Sequence, residues 1–434
     1  MKRYSIMILV GLLALSIIVS GCGNKGASNT GANDNEKGKP AEISIASWNL
    51  QADALEEAAE KFNKSQSEVK VNVRRVSNSY DSIVPALTAG IGAPDIVAVQ
   101  MRDFANFMGK FPDQFVDLSD ELMPRKDEFS DAGWGASTKD GKIYAIPVDI
   151  APTAVYYRKD YFEEAGINPD NLTTWDKFMK AGKKLQSKLD GVKMTTFSLT
   201  SNETYDFWQM IANQLGGRFY DEQGKIDFTN EANIKAMKLV KELKEKDLVV
   251  DSPSWNDRVR AVVNGETATI VYPIWWAGTV KTQAADQAGK WGIMPLPAFT
   301  EGGPNQANLG GSVFAVTTQS EHPEAAWKFL KYLLLTEEGQ KIQMDYGLFP
   351  AWKPFYKSES FATVDKYFGF SLAKRFSELA TDIPAMKFGE HFYDVSRPLE
   401  TAFGQILNGK KDIKEAFKDA EKAASKASGL PVSK

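Results

Sequence analysis

Along this chain the spacing of hydrophobic positions switches repeatedly between every second residue and a helical three-to-four interval. Ile43-Ser44-Ile45-Ala46 reads as a short strand, after which Leu55, Ala58, Ala59 and Phe62 share one helical face. Residues 69–76 alternate as a strand and residues 83–87 resume helix. Pro94-Asp95-Ile96-Val97-Ala98-Val99 predicts a buried strand entered through a turn. Ala154-Val155-Tyr156-Tyr157 predicts another, followed by a helix carrying Trp175, Phe178 and Leu185 with Thr174 as its N-cap. Thr267-Ala268-Thr269-Ile270-Val271 reads as a buried strand that runs out into Tyr272-Pro273-Ile274-Trp275-Trp276. Ser312-Val313-Phe314-Ala315-Val316 is a further one, and a helix opening at Pro323 puts Ala326, Phe329, Leu330 and Leu333 on one face. Residues 413–427 form a lysine- and glutamate-rich surface helix. Alternation of this kind predicts an α/β protein whose sheets are covered by helices. At 434 residues the chain is long for a single core and suits two lobes.

The first residues follow another pattern. Lys2 and Arg3 precede an apolar run, residues 6–19, too short to span a bilayer comfortably, and Ser20-Gly21-Cys22 closes it. Residues 1–21 therefore read as a signal peptide. Val19-Ser20-Gly21-Cys22 also matches the bacterial lipobox, which makes Cys22 the expected site of lipidation. Residues 22–40 are then anchor and tether, because this Gly-, Asn- and Lys-rich stretch has too little apolar surface to order itself. The folded part is expected at the outer face of the cell membrane.

Composition narrows the chemistry. Cys22 is the sole cysteine, which excludes an intrachain disulfide and a cysteine-rich metal site. With only His322 and His391, a His-built zinc site or a Ser/His/Asp triad has almost no material, and no metal or cofactor is expected. The formal charge is −4, and −6 once Lys2 and Arg3 are removed, so electrostatics gives no reason to expect a nucleic-acid partner. There is no Walker loop and no dinucleotide fingerprint. The ten Trp, 14 Tyr and 25 Phe supply many flat surfaces.

Several separated segments resemble the maltose-binding type of extracellular solute-binding protein, the sugar receptors of ABC importers. Gly92-Ala93-Pro94-Asp95-Ile96-Val97 is similar to that family's strand entry. Asp140-Gly141-Lys142-Ile143-Tyr144-Ala145-Ile146-Pro147-Val148-Asp149, running into Val155-Tyr156-Tyr157-Arg158-Lys159-Asp160-Tyr161-Phe162 and Thr174-Trp175, resembles its most recognisable stretch. Asn264-Gly265-Glu266-Thr267-Ala268, Trp291-Gly292-Ile293-Met294-Pro295-Leu296-Pro297 and Gly310-Gly311-Ser312 follow in the family's order. The likeness covers nearly everything from residue 41 onward. It implies two lobes, 41–150 plus 313–348 and 153–310 plus 351–434, with crossovers near 149–153, 310–313 and 347–351. It also implies a ligand in the cleft between them, lobe closure, and a membrane permease as partner, with a monomer as the working state.

Ligands of open α/β sheets bind beyond the carboxyl ends of strands. Trp48 and Asn49 follow the first strand, Arg102 and Asp103 the one entered at Pro94, and Trp275 and Trp276 the one entered at Thr267, while Asp149 lies at a crossover. A pyranose has apolar C–H faces that lie on aromatic rings and a rim of hydroxyls that requires hydrogen bonds, so Trp and Tyr beside Asp, Asn, Gln and Arg suit a sugar. Trp275 and Trp276 are adjacent, so one is expected to face ligand and the other to pack. The resemblance adds Tyr205 and Trp208, with core packing as the alternative for both, and Gly311 and Ser312, Tyr393 and Asp394 to the candidate site. Tyr80 and Trp352 complete it, Tyr80 with a helix-capping alternative and Trp352 with a structural one. Arg102 and Arg397, if both reached the cleft, would suit an acidic sugar such as a uronide. A polyamine receptor of the same fold and a secreted glycoside hydrolase with paired carboxylates are the alternatives.

Overall fold

A computed structural model describes residues 39–434 apart from 78, 201, 202, 381, 382 and 385. The signal peptide, Cys22 and nearly all of the tether lie outside the described residues. Pro40–Lys434 form one compact unit. Among the described residues no helix is long and apolar enough to cross a membrane.

Among the described residues twelve strands occur in chain order: β1 (Ala41–Ser47), β2 (Val69–Arg75), β3 (Ile96–Gln100), β4 (Thr138–Lys139), β5 (Lys142–Ile143), β6 (Ile146–Arg158), β7 (Thr195–Phe197), β8 (Val249–Asp251), β9 (Thr269–Pro273), β10 (Trp291–Met294), β11 (Asn308–Val316) and β12 (Phe349–Pro350). β4 pairs with β5 and β7 with β8; the other eight form one curled sheet. In it, β2, β1 and β3 run parallel, as expected for strands joined through covering helices. The helix Asn49–Ser65 buries Ala54, Leu55, Ala58, Ala59 and Phe62, the stripe its spacing predicts. Thr174 caps the helix Trp175–Gln186 by accepting from the Lys177 amide.

β6 joins the two ends of the sheet. Its first residues pair antiparallel with β11 and β12. Its last pair with β9 from Thr153 to Tyr157 and with β10 from Val155 to Arg158. All of it is buried except Tyr157. The apolar pattern alone gives a strand at residues 154–157; the structure starts it at Ile146. Pro147 and Pro152 read in sequence as breakers, because proline has no N–H for the ladder. Here both sit where β11 is irregular: its register shifts between Asn308 and Gly311 and again between Ser312 and Val313.

The shift at Gly311 depends on glycine. Its φ is +102°, and a Cβ there would lie 2.7 Å from the Asp149 carbonyl oxygen and 2.8 Å from Met101 Sδ. Gly404, inside the helix Phe392–Leu407, has nothing within 4 Å of the same position. Gly311→Ala is therefore expected to destabilise the fold by roughly 1–3 kcal/mol. Gly404→Ala should stabilise it by about 0.5–1 kcal/mol through helix propensity. Urea midpoints of the two variants check this, and a Gly311→Ala midpoint equal to wild type would refute the close approach.

Candidate functional site

Two adjoining hollows open where β1 and β3 end and where β6 and β11 cross, and both are lined by Asn49, Gln100, Trp255, Trp275 and Gly310. The larger, about 600 Å³, adds Trp48, Gln51, Asp149, Gly311 and Ser312. The smaller, about 420 Å³, adds Arg102, Asp206, Gln209, Tyr272 and Phe388. Together they form a cleft at the carboxyl ends of parallel strands, the place such sheets offer a ligand.

One wall is aromatic. β9 ends at Pro273, and the helix Trp276–Gln283 starts three residues later, so Trp275 and Trp276 leave the backbone in different directions. Trp275 lines both hollows, its ring 5.9 Å from Trp255 and edge-on to Tyr272 at 4.9 Å. Trp276 is fully buried behind them, edge-on to Trp255 at 5.1 Å. Of the adjacent pair, then, Trp275 borders the cleft and Trp276 packs. Trp48, half-buried, lines the larger hollow and stands edge-on to Tyr80 at 5.7 Å.

The floor is polar and closely hydrogen-bonded. Ser47 Oγ donates to Gln51 Oε1 at 2.6 Å, and Gln51 Nε2 donates to Ser312 Oγ at 2.6 Å. Ser312 donates both its hydroxyl and its backbone N–H to Asp149 Oδ1. This relay runs from the end of β1 to the crossing of β6 and β11. Burial pushes the Asp149 carboxyl from 3.8 up to about 6, while the Ser312 hydrogen bonds pull it back.

Beneath the smaller hollow a second cluster surrounds Asp103, only 1% exposed. It accepts from the Tyr80 hydroxyl at 2.9 Å and the Tyr393 hydroxyl at 2.7 Å, and Arg102 Nε lies 3.5 Å away. Tyr80 also accepts from the Gln100 amide, and burial pushes its hydroxyl far above the ordinary tyrosine range.

The expected site residues thus divide. Trp48, Asn49, Arg102, Asp149, Trp275, Gly311 and Ser312 line the cleft. Tyr80, Asp103 and Tyr393 do not; they form the cluster just described, and Ser82, not Tyr80, occupies the N-cap position of the following helix, without a side-chain hydrogen bond. Tyr205 and Trp208 are corrected to core: both are buried, and Trp208 donates its indole N–H to the Asn233 carbonyl and packs on Phe403 at 5.1 Å. On the helix Glu203–Gln214 one residue further turns toward the cleft, so Asp206 and Gln209 line it where the aromatics were expected. Trp352 belongs elsewhere, donating to Glu128 Oε2 at 2.8 Å. Asp394 is exposed in the first turn of its helix, 3.6 Å from His391 Nδ1, and Arg397 is exposed too. Trp255, Tyr272, Asp206 and Gln209 were missed. For Asp206 and Gln209 the i, i+3 aromatic pair beside them was the available signal, since such a stripe marks the core face. Among the described residues no group of three or more His, Cys, Asp or Glu is placed to hold a metal ion.

The family described as bacterial extracellular solute-binding protein matches residues 48–340. An arabinooligosaccharide-binding protein of Bacillus subtilis (strain 168) is 30% identical over 379 residues, covering 85% of this chain and 84% of the relative. A lactose-binding protein of Rhizobium radiobacter is 27% identical over 400 residues, 88% and 92% of the two chains. In fold, the ABC transporter associated binding protein from B. animalis subsp. lactis Bl-04, solved in complex with beta-1,6-galactobiose, matches with a TM-score of 0.75. That match is 23% identical and covers 91% of this chain and 100% of the other, which shows the two-lobed architecture.

The raised Asp149 carboxyl has a consequence for stability. Its native value lies above the unfolded one, so the native state keeps the proton longer. The stability this group contributes is present below pH 4 and is lost as pH rises through about 6. Asp149→Asn keeps an acceptor for Ser312 and removes the titration. Its stability relative to wild type should grow by on the order of 2 kcal/mol between pH 4 and pH 7, read from urea midpoints. A constant difference across that window would mean Asp149 is not desolvated.

Proposed function

The chain belongs to the bacterial extracellular solute-binding proteins, and from that premise we propose that it captures an oligosaccharide by closing two lobes on it and delivers it to the membrane permease of an ABC importer. The observation that carries this reading is the pairing of the Trp255–Trp275 wall with hydrogen-bonding groups of both kinds, Arg102 and Gln51 as donors and Asp149, Asp206 and Gln209 as acceptors. Rings with apolar faces and hydroxyl rims match that pairing. Relatives named for arabinooligosaccharide and lactose binding support the same ligand class.

The lobe division at 41–150 plus 313–348 and 153–310 plus 351–434 is supported by β6, which exchanges its partners between Ile150 and Thr153. In that division the contacts between the lobes include Tyr393 to Asp103, the Asn106 amide to the Glu390 carbonyl, and Lys139 to the Glu390 carboxylate at 2.6 Å. They are contacts a closed state uses and an open one releases. The receptor reading includes no chemistry on the ligand. Cys22, by its lipobox, anchors the mature protein, a monomer, at the outer face of the membrane.

A thermal-shift screen of the purified protein against arabino-, galacto- and malto-oligosaccharides tests the ligand class, because a ligand that binds only the folded state raises its melting temperature. One responding series is expected, and no response to any saccharide would sink the proposal. For the responding sugar, Trp275→Ala should weaken binding by 10- to 100-fold, about 1.4–3 kcal/mol, with the unliganded melting temperature little changed. Trp208→Ala should do the reverse, destabilising by about 3–5 kcal/mol through the cavity it leaves. Titration calorimetry and urea melts separate the two outcomes.

A further inference from the structure

Glu390 reaches out of its own lobe. It stands two residues before the helix Phe392–Leu407, in the 351–434 part of the lobe division above. The segment that carries it is packed in place. Phe388 lies 6.0 Å from Phe219 and edge-on to Phe392 at 5.3 Å. Gly389 passes close over Tyr220, and a Cβ there would lie 2.8 Å from the tyrosine ring. Glu390 is therefore presented by a held backbone, not by a loose tip.

Opposite it, in the 41–150 part, stands a seat that fits it. The seat is made by the end of the helix Met101–Lys110 and by Lys139, the last residue of β4. Buried Asn106 donates its side-chain amide to the Glu390 carbonyl. Lys139 Nζ lies 2.6 Å from Glu390 Oε1 and donates to the Met108 carbonyl at 3.4 Å. Gly109 supplies the room: a Cβ there would lie 2.9 Å from Glu390 Oε2 and 3.0 Å from Glu390 Cβ. Two features of this seat make poor sense for the 41–150 part alone. Glycine in a helix is less stable than alanine. A helix C-terminus carries partial negative charge and repels a carboxylate. Lys139, set between the Met108 carbonyl and Glu390, offsets that repulsion, and Gly109 is needed once Glu390 is seated.

We propose that Asn106, Gly109 and Lys139 receive Glu390 as a clasp that closes outside the ligand cleft and slows ligand release. None of these four residues lines either hollow, so the clasp holds the lobes together without touching the ligand. This rests on the receptor reading above and adds what sets the lifetime of the loaded state. Ligand leaves after the lobes part, so a contact made only in the closed arrangement lowers the release rate. Capture takes place in the open arrangement and is nearly unaffected.

The experiment is stopped-flow tryptophan fluorescence of the purified protein with whichever of arabinotriose, lactose, maltotriose and galactobiose binds tightest. Gly109→Leu fills the seat. It should speed release at least tenfold, change capture less than twofold and leave the unliganded melting temperature no lower than wild type. Lys139→Met should speed release three- to tenfold. Raising NaCl from 50 to 500 mM should speed wild-type release at least twofold and leave Lys139→Met unchanged, because that variant has no ion pair to screen. Lys139→Glu and Glu390→Lys should each speed release, and the two together should release at least threefold more slowly than either alone. Lys177→Met breaks an exposed ion pair with Glu301 inside one lobe and should leave release unaltered. Release from Gly109→Leu or Lys139→Met within twofold of wild type overturns the clasp while the receptor reading stands. So does an equal speeding by Lys177→Met. If none of the four sugars binds, the receptor reading itself has failed and the clasp fails with it. Where Gly109→Leu does not fold, Lys139→Met and the exchanged pair decide the matter.

Discussion

A strand that pairs with one set of neighbours at its start and another at its end must give up regular pairing in between. β6 does so between Ile150 and Thr153, and much of the molecule is arranged around that interruption. Backbone groups released from the ladder find other partners, as buried amides must. The Ala151 N–H donates to the Asn308 side chain at 2.8 Å, the Thr153 N–H to the Ala307 carbonyl at 2.9 Å, and the Ile274 N–H to the Pro152 carbonyl at 3.0 Å. Asn308 in turn donates its amide to Asn213 Oδ1 and its side chain to the Gly310 carbonyl. The two prolines stand where no ladder donor is needed, and Gly310 and Gly311, with φ near +105° and +102°, take β11 through conformations other residues resist. The cleft opens at this same irregular point, because there the strands no longer cover one another.

Around that opening the two kinds of recognition are kept apart. The aromatic wall gives rigid apolar faces: Tyr272 and Trp275 meet edge-on, Trp255 is tilted against both, and Trp276 is sealed behind. Arg258 lies over the Tyr272 ring, 4.7 Å from its centroid, and donates to its hydroxyl, so the tyrosine is fixed from both face and tip. The polar floor is fixed in another way. Ser47, Gln51, Ser312 and Asp149 each use one partner to orient the next, which leaves few alternative rotamers. A ligand therefore meets surfaces that are already ordered, and ordering cost on binding is correspondingly small.

How much of this the sequence showed depends on how local the signal was. Strands and helices with a clean apolar period, such as β1, β3 and the helix Asn49–Ser65, were legible because the period itself records which face is buried. The start of β6 was not legible: two prolines normally end a strand, and only the partner strand shows that these positions need no donor. Strand-end logic found Trp48, Asn49, Arg102, Asp149 and Trp275, since a residue just beyond a parallel strand is placed by the topology. It overreached at Asp103. One residue after Arg102 on the same helix, that side chain turns inward to Tyr80 and Tyr393 and does not line the cleft. On the helix Glu203–Gln214 the i, i+3 spacing of Tyr205 and Trp208 marks a core stripe, and the burial of both agrees with the core-packing alternative. Trp255 carried no signal of its own; it opens a short helix capped by Ser254 and reaches the cleft through tertiary packing alone.

The two kinds of connection between the sides of the cleft differ in strength, and this bears on how such a cleft works. At the crossing they are covalent and laddered: β6 and β11 run through, and their hydrogen bonds are buried. Across the mouth the ones between Tyr393, Asp103, Asn106, Lys139 and Glu390 are polar. A tyrosine hydroxyl reaches Asp103, an asparagine amide reaches a carbonyl, and the Lys139–Glu390 ion pair lies between side chains 29% and 45% exposed. The exposed ion pair contributes about 1 kcal/mol or less, since water replaces it when it parts, and the hydrogen bond to Asp103 about 1.5–3 kcal/mol. Separating the mouth thus breaks little, while separating the crossing would break the sheet. In the proposed closure the fold bends at the crossing and opens at the mouth, and a ligand need bind the closed arrangement only a few kcal/mol better to hold it shut.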